Sequence, residues 1–521
     1  MVTSVLRRVL IANRGEVALR VIHSCHALGI ETVAVYSDVD AHAPHTLAAD
    51  RAVRIGPAPP AESYLSIARV LDAARATGAD AIHPGYGFLS ENAAFARACA
   101  DAHITFVGPS AAVIEQTGSK IACRELAEAA GIPVVPGERP HDQSLAGVRA
   151  AVLRIGYPAL LKPSAGGGGK GMKIVSDAVA LDEAISAARR EAETAFGDGT
   201  LYVERHLARP RHIEVQVVGD KHGHLVHLGE RECSVQRRYQ KVIEEAPAPT
   251  LAADIREQIV AAAVEVARAA GYDNVGTVEF LVADDPDGPD GASRYYFLEM
   301  NTRLQVEHPV TELCTGIDLV QTQLEVAAGV PLPWRQSDIS PRGHAIECRL
   351  YAEDPDRDYV PQAGPLLLYR EPSGPGVRID AGVQEGDQVT VFYDPLLAKL
   401  VTHAATRETA RTRAIEALRR YAVLGVRTNL ALLQRVLTHP RFIAADIDTT
   451  WLSADSETLL ATPWSIEMAS TGPDVAATTG DDRDLVAALA AAGADRETRA
   501  GPRQASHASS SDPWVTLKGW R

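Results

Sequence analysis

Residues 298–309 read LEMNTRLQVEHP, and Glu299, Asn301, Arg303, Gln305 and Glu307 occupy every second position. Met300, Thr302, Leu304 and Val306 fill the gaps. In an extended chain alternate side chains share one face, so the spacing predicts two carboxylates, two amides and a guanidinium in one row. Carboxylate and amide oxygens suit a hard divalent cation that also takes substrate phosphates. A guanidinium binds planar anions bidentately, and a carboxylate beyond it can act as a base. The row therefore points to metal, anion and base chemistry in succession. A solvated strand face also alternates, but its polar side chains have no reason to follow a chemical order.

A further carboxylate approaches from upstream. GTVEFLV and RYYFLEM read as strands joined by the Asp/Gly/Pro-rich ADDPDGPDGAS, a hairpin signal. With the loop centred near residue 289, antiparallel register sets Glu279 opposite Glu299. Opposed like charges are unfavourable unless a cation lies between them, and Asn301 can add an oxygen. A second motif, GGGGKG at 166–171, follows an apolar strand containing Lys162 and precedes the strand MKIV. Consecutive glycines carry a high conformational entropy cost. They suit a backbone that approaches an anion, with N–H groups cradling phosphate and Lys162 and Lys170 supplying charge. Lys170 is followed by glycine and a strand, so this is not a Walker A loop. A flexible surface hairpin is the plain alternative.

The elements that must position these groups fall into successive regions. RVLIANRG, ETVAVYS and DAIHPGYG alternate with helical stretches at 16–28 and 64–77, which predicts a parallel α/β sheet. The turn ANRGEVALR lacks G-x-G-x-x-G, so it makes no strong dinucleotide-binding claim. From about 110 to 335 the chain carries YPALLKPSAGGGGKGMKIV, TLYVERHL and RHIEVQVVGDKHGHLVHLGERECSVQRR, the last a hairpin through GDKHGH. HAIECRLYAEDP opens a third region, with helical patterns near 407–420 and 429–438. After about 455 an Ala/Thr/Gly/Asp-rich stretch with one helix, DLVAALAAA, reads as a linker.

Composition sets bounds. A chain of 521 residues with 46% hydrophobic residues supports about three domains with real cores. A net charge of −15 argues against a nucleic-acid footprint. Six dispersed cysteines contain no C-x-x-C pair, which disfavours a zinc site or disulfide framework. No apolar run reaches the roughly 18–20 residues of a membrane span, and the N-terminus reads as a first strand rather than a signal peptide. The expectation is a cytoplasmic protein that binds neither nucleic acid nor membrane.

KPSAGGGGKGM, RHIEVQV, GERECSVQRR, EEAPAP, EMNTRLQVEHPVTE, GHAIECRLYAEDP and HPGYGFLSEN together resemble the signatures of biotin carboxylases, ATP-grasp enzymes found at the N-terminal end of acyl-CoA carboxylase α-subunits and pyruvate carboxylases. The resemblance runs in order from about residue 5 to 453. It implies a combined α/β and α+β chain: an N-terminal parallel α/β domain at 1–116 and an ATP-grasp domain at 117–335, with a mobile lid at about 135–203. A mixed α+β C-terminal domain at 336–453 and a linker or the start of a connecting domain at 454–521 complete it. By the resemblance, Lys120, Lys162, Gly168, Gly169, His212, Gln236 and Tyr239 match ATP-contacting positions, and Glu204, Arg205, His206 and Leu207 match the adenine hinge. Glu279, Glu299 and Asn301 match the ligands of Mg²⁺ or Mn²⁺. Lys241, Arg303, Gln305 and the Val306 backbone match the bicarbonate site, Glu307 the general base, and Arg349 the residue facing the biotin enolate. Tyr239 departs from the family, which often has histidine there.

The implied reaction is ATP-dependent carboxylation of biotin by bicarbonate through carboxyphosphate, the first half-reaction of an acyl-CoA carboxylase. Biotin is expected as a substrate on a separate carrier domain or protein. The chain's four methionines include no Met-Lys-Met sequence, so no covalent biotin is expected here. The ending DPWVTLKGWR resembles the start of a connecting region. Implied partners are a carrier, a carboxyltransferase β-subunit and a second copy of the chain, as a homodimer or within a larger hetero-oligomer. The alternatives are another ATP-grasp carboxylate ligase and a non-catalytic nucleotide-binding scaffold. The ordered SVQRR and RLQVEHPVTE segments, and retention of each acid and base, favour the carboxylase.

Overall fold

A computed structural model of the chain describes residues 6–164, 171–249, 251–284 and 293–461. The side chain of Lys120, Gly168, Gly169, Lys170 and the helix expected at DLVAALAAA lie outside the described residues. Residues up to 460 group into one compact unit.

The first region is a five-stranded parallel sheet, ordered Arg51–Gly56, Glu31–Ser37, Arg8–Ile11, Ala81–His83, Thr105–Phe106. The helices Gly15–Ala27 and Ile67–Thr77 fall where the apolar periodicity places them. Val9, Leu10 and Ile11 are fully buried, as expected for a strand covered on both sides.

The centre of the molecule is one eight-stranded antiparallel sheet. Its order is Ser293–Asn301, Asn274–Asp284, Arg211–Gly219, Leu225–Arg237, Gln240–Ala246, His344–Tyr351, Leu396–Ala404, Val377–Ala381. The sheet thus runs without interruption from the central region of the chain into the C-terminal region. Ile213, Val215 and Val217 point to a core that includes Ile259, Ala263 and Val266 of the helix Ala253–Ala269. The period of two then sends His212, Glu214 and Gln216 to the opposite face. Those three are buried as well. Burying a polar face is costly unless every group is paired, so this face must be wired internally.

A smaller four-stranded sheet, ordered Gly137–Glu138, Leu201–Arg205, Ala159–Pro163, Lys173–Val175, lies within the segment expected to form the lid. The helices Leu145–Ile155 and Leu181–Phe196 flank it, and Val148, Val152, Leu161, Ile185 and Val203 share its own small core. In the C-terminal region the helices Arg407–Arg420 and Leu430–Thr438 cover the large sheet, joining Ile346, Cys348 and Leu400 in a core around Trp451.

Candidate functional site

The hairpin register is the one the loop position predicts: Glu279 lies opposite Glu299, with a bulge between Glu279 and Phe280. The expected single row does not continue as a strand. The strand ends at Asn301, and Arg303 and Gln305 lie in irregular chain before the helix His308–Thr315. Two contacts account for the departure. The carboxylate of Glu91 accepts from Thr302 N–H at 3.2 Å, in place of a strand neighbour. Leu304 is fully buried in the core beside the N-terminal sheet, which anchors the irregular segment there.

The side chains converge nevertheless. Arg303 donates through Nη1 to Gln305 Oε1 at 2.7 Å, through Nη2 to Asn301 Oδ1 at 2.9 Å and through Nε to Glu91 Oε2 at 3.0 Å. Gln305 Nε2 donates to Glu279 Oε1 at 3.0 Å. Glu307 sits where the chain enters the helix His308–Thr315, with Pro309 in its first turn. Its Oε1 accepts from Lys241 Nζ at 2.6 Å and its Oε2 from Arg349 Nη2 at 2.8 Å.

Lys241 is the hub. Its ammonium also donates to Glu214 at 2.6 Å and Glu279 at 3.1 Å. His212 Nε2 stands 3.1 Å from Glu279 Oε2, and Gln236 lies opposite Lys241 in the sheet register. Behind Glu214, the fully buried Arg231 pairs with that carboxylate and donates to Gln216 at 2.7 Å, Thr311 at 2.9 Å and Thr277 at 3.1 Å. Arg349 is braced from its other side by Glu244. Sequence reasoning did not single out Glu91, Glu214, Arg231 or Glu244. A signal existed for Glu214: RHIEVQV alternates polar and apolar residues as the 299–307 row does.

These contacts set the protonation states. Burial pushes the Glu307 carboxyl up, but Lys241, Arg349 and Arg231 outweigh it and hold it well below the usual carboxylate range. Glu279 is likewise held low, by Lys241 and His212 against burial. Burial works against the Lys241 ammonium, yet Glu214, Glu279 and Glu307 keep it charged. Glu244 is pushed up to about 7 by burial, partly offset by Arg349.

Of the remaining predicted residues, Lys162, Glu204, Arg205, His206 and Leu207 form a separate group at the small sheet, whereas Tyr239 belongs to the large one. Lys162 pairs with Glu204 across adjacent strands, and Arg124 stands 3.5 Å from Glu204. Backbone hydrogen bonds tie Arg205 to Pro136 and His206 to Pro158, each at 2.8–2.9 Å, and Leu207 is half-buried beside them. Tyr239 sits at the tip of the turn joining Leu225–Arg237 to Gln240–Ala246, with φ of 69° and 59% exposure. The two groups together place a polar cluster at the small sheet and a largely buried, ionised cluster on the large one.

The donor set suits a hard metal. Glu279, opposed by Glu299 and neighboured by Asn301, offers carboxylate and amide oxygens, the donors that Mg²⁺ or Mn²⁺ prefer. His212, Glu214 and Glu279 also bring candidate ligand atoms within 4.8 Å of one another, although Glu214 is already committed to Arg231 and Lys241.

Comparison with known proteins follows the same division of the chain. Residues 5–114 match the family described as biotin carboxylase, N-terminal domain, and residues 347–454 the biotin carboxylase C-terminal domain. Residues 119–335 match the family described as carbamoyl-phosphate synthase L chain, ATP binding domain. The chain is 50% identical over 450 residues to a biotin carboxylase of Halalkalibacterium halodurans, covering 86% of this chain and 97% of that one. It is 48% identical over 454 residues to the mitochondrial methylcrotonoyl-CoA carboxylase subunit alpha of Glycine max, covering 87% of this chain but 61% of that relative's length. Among solved structures, the biotin carboxylase domain dimer of the Hydrogenobacter thermophilus 2-oxoglutarate carboxylase, held with MgADP, ADP and bicarbonate, superposes with a TM-score of 0.81 at 43% identity. That match covers 87% of this chain and 98% of that one.

Proposed function

The chain belongs to the biotin carboxylase family, an ATP-dependent enzyme activity, and from that premise we propose how its residues divide the reaction. The observation that carries the proposal is the junction at Glu307, whose two oxygens are held by Lys241 and Arg349 while Arg303 is reached through Gln305 and Glu279.

ATP lies between the small sheet and the large one. Lys162, Lys120, His212, Gln236, Tyr239 and the glycine loop with Gly168 and Gly169 contact it, and Glu204, Arg205, His206 and Leu207 line the adenine. Glu279, Glu299 and Asn301 hold Mg²⁺ or Mn²⁺, which when bound neutralises charge on the phosphates. Bicarbonate takes up Lys241, Arg303, Gln305 and the Val306 backbone. As the anion draws on the hydrogen bonds of Lys241, a like charge arrives beside Glu307, and both changes raise that carboxylate's proton affinity. Glu307 then takes the bicarbonate proton, and the resulting oxygen attacks the γ-phosphate. Positioning and charge neutralisation do most of the work in such a transfer.

The products are ADP and carboxyphosphate, which breaks down to CO₂ and phosphate. The phosphate accepts the proton from N1′ of biotin. Arg349, held rigid by Glu244 and Glu307, faces the developing ureido oxyanion with Arg303, and the nucleophilic nitrogen captures CO₂. The biotin is carried by a separate domain or protein. A carboxyltransferase passes the carboxyl group to an acyl-CoA, the chain works as a dimer or within a larger hetero-oligomer, and the setting is the cytoplasm. The test is ADP release by the purified chain with MgATP, bicarbonate and free biotin. ADP formation should require both bicarbonate and biotin for full rate. Turnover indifferent to biotin would favour another ATP-grasp ligase.

A further inference from the structure

The turn Gln305–Glu307 lies between the strand that carries the metal carboxylate and the helix that begins at His308, and two buried side chains hold its backbone from behind. His308 Nδ1 lies 2.6 Å from the Gln305 carbonyl oxygen. Since a carbonyl only accepts, the ring must donate from that nitrogen. Lys399, fully buried on the strand Leu396–Ala404, donates to the Val306 carbonyl at 2.8 Å. Its ammonium also stands 3.2 Å from Glu16 of the N-terminal helix and 3.8 Å from Asp380. Glu16 in turn accepts from Tyr86. A residue from the C-terminal region, fixed by one from the N-terminal region, therefore grips the backbone of the central site.

A peptide group is planar with its N–H anti to its C=O. Fixing the Gln305 carbonyl fixes the direction of the Val306 N–H, and fixing the Val306 carbonyl fixes that of the Glu307 N–H. Among the described residues neither N–H donates to another protein group. We infer that His308 and Lys399 are positioning residues for the anion step: by pinning two successive carbonyls they aim the Val306 and Glu307 N–H groups at the bicarbonate beside Lys241 and Arg303. The inference rests on the bicarbonate assignment proposed above. Neither side chain touches the substrate, and the effect passes through the peptide planes.

The test is steady-state kinetics on the full chain, varying bicarbonate and ATP separately. Lys399→Met and His308→Leu should each raise the KM for bicarbonate by about tenfold or more, the scale of one charge-assisted hydrogen bond. The KM for ATP should move by less than about twofold. His308→Asn, which keeps a donor, should recover most of the loss seen in His308→Leu. Lys399→Met leaves Glu16 without its cation, so Lys399→Met/Glu16→Gln serves if the single variant does not fold, and the His308 pair decides if neither does. Equal changes in both KM values, or no change in bicarbonate KM in folded variants, would overturn the inference. Arg303→Met separates the two levels. If it also leaves the bicarbonate KM unmoved, the bicarbonate assignment fails. If it raises that KM while the positioning variants do not, only the inference fails.

Discussion

The large sheet and the small one treat charge in opposite ways. On the polar face of the large sheet, Arg231, Glu214 and Glu307 are buried and the half-buried Lys241 donates to both carboxylates at 2.6 Å, while Arg231 pairs still more closely with Glu214. On the helices that flank the small sheet, the pair Arg149–Asp182 is about half exposed, and the core beneath them consists of aliphatic side chains. A buried ionic network is rigid because each member loses a partner if any other moves. Exposed pairs impose no such constraint. On the proposal above, the chemistry of anion and base falls to the buried network, and nucleotide capture to a body with a core of its own.

Glu307→Gln sets this contrast most sharply. It should lower biotin carboxylation by roughly 10²–10⁴-fold, the usual range for a general base, while ATP still binds to the small sheet. Comparing turnover with nucleotide affinity checks it, and near-normal turnover removes Glu307 from the mechanism.

Stability should divide in the same way. Arg231→Met leaves the buried Glu214 carboxylate with Lys241 as its one remaining cation and takes the donor from Gln216, Thr311 and Thr277, and should cost about 3–5 kcal/mol in urea unfolding. Arg149→Met breaks an exposed pair and should cost no more than about 1 kcal/mol. Similar losses for both would erase the distinction.

Motion gives a third comparison. ATP should slow amide exchange in Ala159–Pro163 and Leu201–Arg205 and leave Asn274–Asp284 unchanged, as expected for a lid closing on a fixed base. Gly168→Val/Gly169→Val should weaken ATP use by blocking backbone approach to phosphate. Equal protection in both sheets would count against a mobile lid.

Acid provides a smaller effect. Glu279 and Glu307 have folded-state values below the ordinary 4.5. The stability they contribute is present above about pH 4.5 and is lost as pH falls through their depressed folded values. Wild type should therefore lose more stability than Glu307→Gln between pH 5 and 3 (about the range in which ordinary carboxyls titrate). The smallest effect is expected at Tyr239, whose exposed turn position should make Tyr239→Phe a few-fold change in ATP KM at most.

Much of this was legible from local pattern. The hairpin register followed from the centre of its loop, and the parallel first sheet from strand–helix alternation. The residues around Lys241 were named by family resemblance. Three things were not legible. The strand's end at Asn301 depends on Glu91, which is 211 residues away in sequence and caps Thr302 N–H. Arg231 and Glu244 look like ordinary charges among many in their segments. Their roles arise because sheet pairing lays Arg231 opposite Glu214, and lays Glu244 beside Glu347, which brings Arg349 within reach. The grip of Lys399 on Val306 joins regions that no local periodicity relates.

The central claim is that bicarbonate, bound beside Lys241 and Arg303 and deprotonated by Glu307, attacks ATP directly. Bicarbonate labelled with ¹⁸O tests it, with the released inorganic phosphate read by mass spectrometry during biotin-dependent turnover. Attack by a bicarbonate oxygen on the γ-phosphorus should leave one bicarbonate-derived ¹⁸O in each phosphate formed, and Glu307→Gln should slow phosphate release without changing that ratio. Phosphate carrying only solvent and ATP oxygen would contradict the account.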